Sequence, residues 1–249
     1  MIVVIMGMFC NAQNIPIDYK LIKINAPCSN NVDSSIQKTI DREHRIIGKK
    51  ISQVIGYCPE TLQNFMPQSP LTNLCTDMLF KCMSEYCSEN RLEPIDLSLL
   101  NFGCFRNILP AGDITVKQIY EISPFDNHVV IIDIKGDELA KIFKAFTTKK
   151  NLAYSNNVHM EYIGDYPTKI LVNGEAIDKT RIYRITTSDF IAQGGDGILE
   201  DVKIEKFTDT SIRVRNVYID GIKKMTAKKQ TVSAKIDDRV IILPQPQHK

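Results

Sequence analysis

The chain has 249 residues, 43% apolar and 24% charged, an ordinary globular composition that excludes a disordered, collagenous or coiled-coil protein. Thirty-one Lys and Arg against twenty-nine Asp and Glu leave a formal charge of +2 without a long single-sign block, which gives no basis for nucleic acid or an anionic membrane as main partner. At about 150 residues per domain the length permits one large core, and seven cysteines with no tryptophan are the one unusual count.

Ile2 to Phe9 is an apolar run followed by Cys10-Asn11-Ala12-Gln13, with small residues at the −3 and −1 positions of a cut after Ala12. Residues 1–12 therefore read as the end of a secretory signal peptide, truncated because its basic n-region is missing, and the protein as exported, to the periplasm or cell envelope. A membrane span needs about 20 apolar residues, so no transmembrane segment is expected. Acylation of Cys10 is disfavoured by the bulky Met8-Phe9 before it. Residues 13–45 are a polar, poorly periodic N-terminal extension.

After Ser69-Pro70, the residues Leu71, Leu74, Cys75, Met78, Leu79, Cys82, Met83 and Tyr86 form one helical stripe, with Ser69 as N-cap and Pro70 as first helical residue. Ile95 to Leu100 reads as a buried strand, and Thr115 as the cap of a brief helix through Tyr120. Val129 to Ile134 is a buried strand that Gly136 turns into a helix carrying Leu139, Ile142, Phe143 and Phe146. Val158 to Ile163, Lys169 to Val172 and Arg181 to Thr187 read as strands, with a turn at Asn173-Gly174. A glycine-rich break at Gly194 to Gly197 follows, then a helix over Ser211 to Met225, a strand over Val232 to Leu243, and a disordered tail over 244–249. The fold class is α+β: one domain over residues 46–243, a mixed sheet with the long amphipathic helix packed on it.

Several chemistries lack their residues. The histidines, at 44, 128, 159 and 248, sit in no H-x-H, H-E-x-x-H or D-x-H arrangement, and no Walker A loop, G-x-S-x-G elbow or C-x-x-C pair occurs. No metal site and no catalytic residue is expected in this chain. Cys75 and Cys82 share a helix face about 10 Å apart along the axis and cannot bridge each other, so any disulfide must reach Cys28, Cys58, Cys87 or Cys104.

Three loop segments carry the functional signal: Asn101-Phe102-Gly103-Cys104-Phe105-Arg106, Ser123-Pro124-Phe125-Asp126-Asn127, and Ser188 to Gly197. Two turn phenylalanines suit the clamping of a planar ring, an Asp in a glycine-rich loop suits the hydroxyls of a ribose, and an Arg suits a phosphate or carboxylate. These segments, with Ser69-Pro70-Leu71-Thr72-Asn73-Leu74, closely resemble the C-terminal domain of the 5′-nucleotidase family, which includes UDP-sugar hydrolases and cyclic phosphodiesterases. The resemblance runs in order from about Gly48 to Leu243. It implies that Phe125 and Phe190 sandwich a base and that Asp196, following Gly195, holds the ribose. Asn101, Gly103 and Arg106 then match a loop that contacts base and phosphate. Cys104 and Phe105 stand where the family has glycine and isoleucine, which puts side chains where backbone meets ligand, and no arginine occurs in the stretch Asn64 to Gln68.

In the family a separate metallophosphoesterase domain carries the divalent metal pair. The resemblance thus implies a nucleotide- or nucleoside-recognition domain of a phosphoester hydrolase of nucleotide catabolism, acting with a metallophosphoesterase encoded as a separate chain and inactive alone. The alternative is a degenerate, non-catalytic binding or scaffold module of the cell envelope. A mis-called gene start, with the catalytic domain upstream, is a third reading.

Overall fold

The computed structural model describes residues 33–149, 151–164 and 166–245, so the expected signal segment and the end of the tail lie outside the described residues. Two compact units divide between Arg45 and Ile46. Helix α1 (Ser34–Ile51) begins in the first, with Asp33 Oδ1 accepting from Ser35 N at 2.8 Å. The sequence reading assigned no regular element before residue 46. The helix buries none of its residues, and Glu43 and His44 interrupt the stripe of Ile36, Ile40 and Ile47, which weakens the periodic signal.

From Ile46 onward the chain runs β1 (Val54–Cys58), α2 (Pro70–Glu89), β2 (Leu97–Asn101), β3 (Gly112–Thr115), α3 (Val116–Ile122), β4 (His128–Lys135), α4 (Gly136–Lys149), β5 (Leu152–Tyr154), β6 (Val158–Ile163), β7 (Tyr166–Val172), β8 (Glu175–Ala176), β9 (Ile182–Ser188), α5 (Asp189–Ala192), β10 (Ile204–Arg213), α6 (Val214–Ala227) and β11 (Val240–Leu243). A five-stranded sheet has the order β10-β4-β9-β2-β5, a four-stranded one β11-β6-β7-β8, and β1 pairs with β3. The class is α+β with mixed sheets, as the sequence indicated.

The central sheet separates two cores. Along β4, Val129 and Ile131 face a cluster containing Leu71, Cys75 and Leu79 of α2 and Val217 and Ile222 of α6. The alternate residues Val130, Ile132 and Ile134 face Leu139, Ile142 and Phe143 of α4. A strand covered on both faces reads as a near-continuous apolar run, which is why β4, with only Asp133 between its valines and isoleucines, was readable from sequence. Each fully buried aliphatic side chain contributes about 1.5–3 kcal/mol. The cap of α2 forms as expected: Ser69 Oγ accepts from Thr72 N at 3.2 Å, and Thr72 Oγ1 accepts from Ser69 N at 3.1 Å. Gly136 is required by proximity, since a Cβ there would lie 1.9 Å from the Asp178 carbonyl oxygen.

Two expectations are corrected. The helix expected from Ser211 starts at Val214, because residues to Arg213 continue β10 along β4, with Arg213 opposite His128. The strand expected from Val232 begins at Val240, where it pairs in parallel with β6. The preceding backbone meets other partners, Val232 N bonding Tyr57 O at 2.8 Å and Lys235 O accepting from Asn73 Nδ2 at 2.8 Å.

Candidate functional site

Sheet register brings the three loops together. Strands β2 and β9 are parallel with Ser98 opposite Thr186, so both run out at the same sheet end, just past Asn101 and Ser188. Strand β4 is antiparallel to β9 with Val129 opposite Ser188, so the turn bearing Phe125 enters at that end as well. A cavity of about 220 Å³ lies there, lined by Asn101, Gly103, Cys104, Arg106, Phe125, Asn127, Phe190 and Asp196. Six of the seven residues expected from sequence line it, and the seventh, Gly195, lies against Phe190. A larger cavity, about 400 Å³ between α2 and α6, contains none of them.

The two rings are surface groups, not core. Phe125 is 41% and Phe190 42% exposed, whereas Phe143 in the core is 0%. Phe190 projects because the next residue, Ile191, is fully buried and fixes the short helix, whose cap Ser188 Oγ accepts from Ile191 N at 3.3 Å. Gly195 leaves room for this ring: a Cβ there would lie 2.5 Å from both the ring edge and the Phe190 carbonyl oxygen. Asp196 adopts φ +56, a left-handed conformation that Asp tolerates better than most residues, between Gly194 at φ +92 and Gly197 at φ +64.

Asn101 is nearly fully buried, and its Nδ2 donates to Asp196 Oδ2 at 2.7 Å, joining the end of β2 to the glycine loop. Its Oδ1 is buried with no partner, a desolvated acceptor at the cavity floor. Arg106 donates from Nη1 to Gly103 O at 3.4 Å, and its guanidinium lies 5.7 Å from the Phe125 ring centroid. It is an exposed cation worth about 0.5–1 kcal/mol against the ring.

Of the two side chains in this loop, Cys104 lines the cavity and Phe105 does not. A 3-10 turn over Phe102–Cys104 directs Cys104 into the core, Phe105 follows it there, and both are buried. Burial pushes the Cys104 thiol well above its ordinary pKa, so it stays neutral. The cavity meets it as a small apolar floor. Cys58, Cys75, Cys82, Cys87 and Cys104 are all free thiols, and Cys10 and Cys28 lie outside the described residues. Asn127, not among the expected site residues, joins the lining two residues after Phe125.

Among the described residues no three His, Cys, Asp or Glu side chains gather to hold a metal ion. His128 meets Asp209 at 3.4 Å and His159 meets Glu161 at 2.9 Å, each a separate surface pair. The described residues do not supply the donor set of a dimetal centre.

The family described as "5'-nucleotidase, C-terminal domain" matches residues 51–202, more than half of the chain. The chain belongs to this family. Protein UshA of Yersinia enterocolitica is 34% identical over 133 residues, which are 52% of this chain and 24% of that protein. A 5′-nucleotidase of Vibrio cholerae is 29% identical over 130 residues, 51% of this chain and 22% of that one. The matched stretch is thus about a quarter of these relatives' length. A crystal structure of a 5′-nucleotidase precursor from Thermus thermophilus superposes with a TM-score of 0.68 at 23% identity, over 84% of this chain and 43% of that one, and shares the fold of this 5′-nucleotidase C-terminal domain.

Proposed function

We propose that the chain recognises a nucleoside or nucleotide, with the base between Phe125 and Phe190 and the ribose hydroxyls on Asp196. The observation that carries this reading is the pair of exposed rings at one sheet end, beside a carboxylate already bonded to the buried Asn101. Stacking supplies affinity for any planar base, and the carboxylate oxygens of Asp196 accept from the sugar. Arg106, the one cation among the described residues of the lining, faces the phosphate of a nucleotide. We further propose that the protein is exported and serves nucleotide catabolism beside a metallophosphoesterase on a separate chain. That partner contributes the divalent metal pair, and this chain holds base and sugar so that the ester reaches the metals.

Calorimetric titration of the purified chain with adenosine, AMP and a nucleotide sugar tests the recognition. Saturable binding is expected, and at 100-fold excess over Kd the ligand adds about 2.7 kcal/mol of stability, visible as a raised Tm. No saturable binding of any of the three overturns the reading and leaves a scaffold module. The chain alone, with added Mn²⁺, is expected to release no phosphate from AMP; turnover that Asp196→Asn abolishes would contradict the separate partner.

Gly195→Ala provides a second check without touching the ligand. The added methyl overlaps the Phe190 ring and carbonyl, so the ring must swing out of line. Adenosine affinity is expected to fall about ten-fold, which is about 1.4 kcal/mol and within the 1–3 kcal/mol typical of a stacked base. Unchanged affinity would show that the ring's placement does not matter.

A further inference from the structure

Arg215 is a 4%-exposed cation on the first turn of α6, a helix N-terminus where positive charge is disfavoured by the macrodipole. Its contacts are all tertiary. Nη1 donates to the carbonyl oxygens of Pro124 at 3.1 Å and Phe125 at 2.9 Å, and Nη2 donates to Asp126 Oδ1. The guanidinium carbon lies 4.4 Å from the centroid of the Tyr120 ring. One planar side chain thus grips three successive residues of the turn that bears the exposed phenylalanine. Arg213 adds a looser contact to Asp126 at 3.6 Å, and Val214 N bonds Asn127 O at 2.9 Å.

This turn is held by no strand ladder. It begins where Ser123 closes α3 and ends where His128 opens β4, and the Phe125 ring is 41% exposed, with the Arg106 guanidinium 5.7 Å from its centroid. Lysine has the charge but not the fork, since its single ammonium cannot meet two carbonyls and a carboxylate in one plane.

We infer that Arg215 is a positioning residue: it holds the Phe125 turn so that the ring stands at stacking distance, coupling α6 to the base clamp. The inference rests on the reading of Phe125 as a stacking ring, but the placement of the ring can be measured without ligand. With 4-fluorophenylalanine at position 125, fluorine NMR of the ligand-free chain is expected to show one narrow line, shifted and broadened in Arg215→Lys. Asp126→Asn, at an exposed side chain, is expected to produce a smaller change in the same direction and serves if the Arg215 variant fails to fold. Adenosine affinity is expected to fall at least ten-fold in Arg215→Lys, and not to fall further when Arg215→Lys is added to Phe125→Ala. An unchanged fluorine line in both variants, or an equal loss with and without the Phe125 ring, overturns the inference and leaves Arg215 as an anchor of α6 alone. If the wild-type chain binds no nucleoside, the stacking reading fails while the fluorine lines still decide what Arg215 does.

Discussion

Replacing Phe190 by alanine is expected to weaken adenosine and AMP binding by about 10- to 100-fold, because a base loses roughly 1–3 kcal/mol with its stacking partner. Stability is expected to change little, since the ring is 42% exposed and its neighbour Ile191 keeps the loop anchored. Calorimetry and thermal unfolding on the same samples separate the two effects, and Phe190→Tyr, which keeps the π-face, should retain affinity. The ribose contact is separable by ligand choice. Asp196→Asn should cost adenosine more than 2′,3′-dideoxyadenosine, whose sugar lacks the two hydroxyls that a carboxylate accepts from. Equal losses for the two ligands would remove Asp196 from the sugar, and an unaltered affinity in Phe190→Ala would remove the clamp.

The largest stability effect is expected at Asp77. Arg239 has a side chain only 3% exposed, and its donors go to Asp77 at 2.9 and 2.9 Å, to Asp237 at 2.8 and 2.7 Å and to the Tyr154 carbonyl at 2.7 Å. Asp77→Ala leaves that guanidinium buried with half its carboxylate partners. Breaking a buried pair from one side costs about 3–5 kcal/mol, and the low end applies because Asp237 remains. In a chain of this size about 3 kcal/mol corresponds to a fall in Tm of roughly 6–12 °C. The irregular segment from Gln230 to Arg239, whose C-terminal end these contacts anchor, should become the first protease-sensitive stretch. A drop of less than about 2 °C would mean that Asp237 alone satisfies Arg239.

The readable parts of the molecule are those whose physics is local. Strand β4 is covered on both faces and shows as a β-branched run broken only by Asp133, and α2 shows as a stripe with its own cap at Ser69. The candidate site was legible for another reason: the spacing of its aromatics and glycines also fits core residues and plain turns, and the resemblance of the three loops to the 5′-nucleotidase C-terminal domain singled them out. Helix α1 escaped notice because it buries no residue and its isoleucine stripe is interrupted. The stretch after α6 read as a strand from its valines and isoleucines, but no sheet edge meets it until Val240.

The residue order by itself therefore determined the α+β class, the long capped helix and the buried strand, because propensity, periodicity and turn chemistry act over a few neighbouring positions, whereas the candidate ring, carboxylate and amide groups were picked out by resemblance to the family. Tertiary structure alone decided that Cys104 points into the core beneath the cavity, that Asn101 reaches Asp196, and that Arg215, eighty-nine residues from Asp126, grips the Phe125 turn. These outcomes depend on strand register and on which backbone groups remain unpaired after the sheet has formed. Both are properties of the assembled sheet, which no local window of the sequence contains.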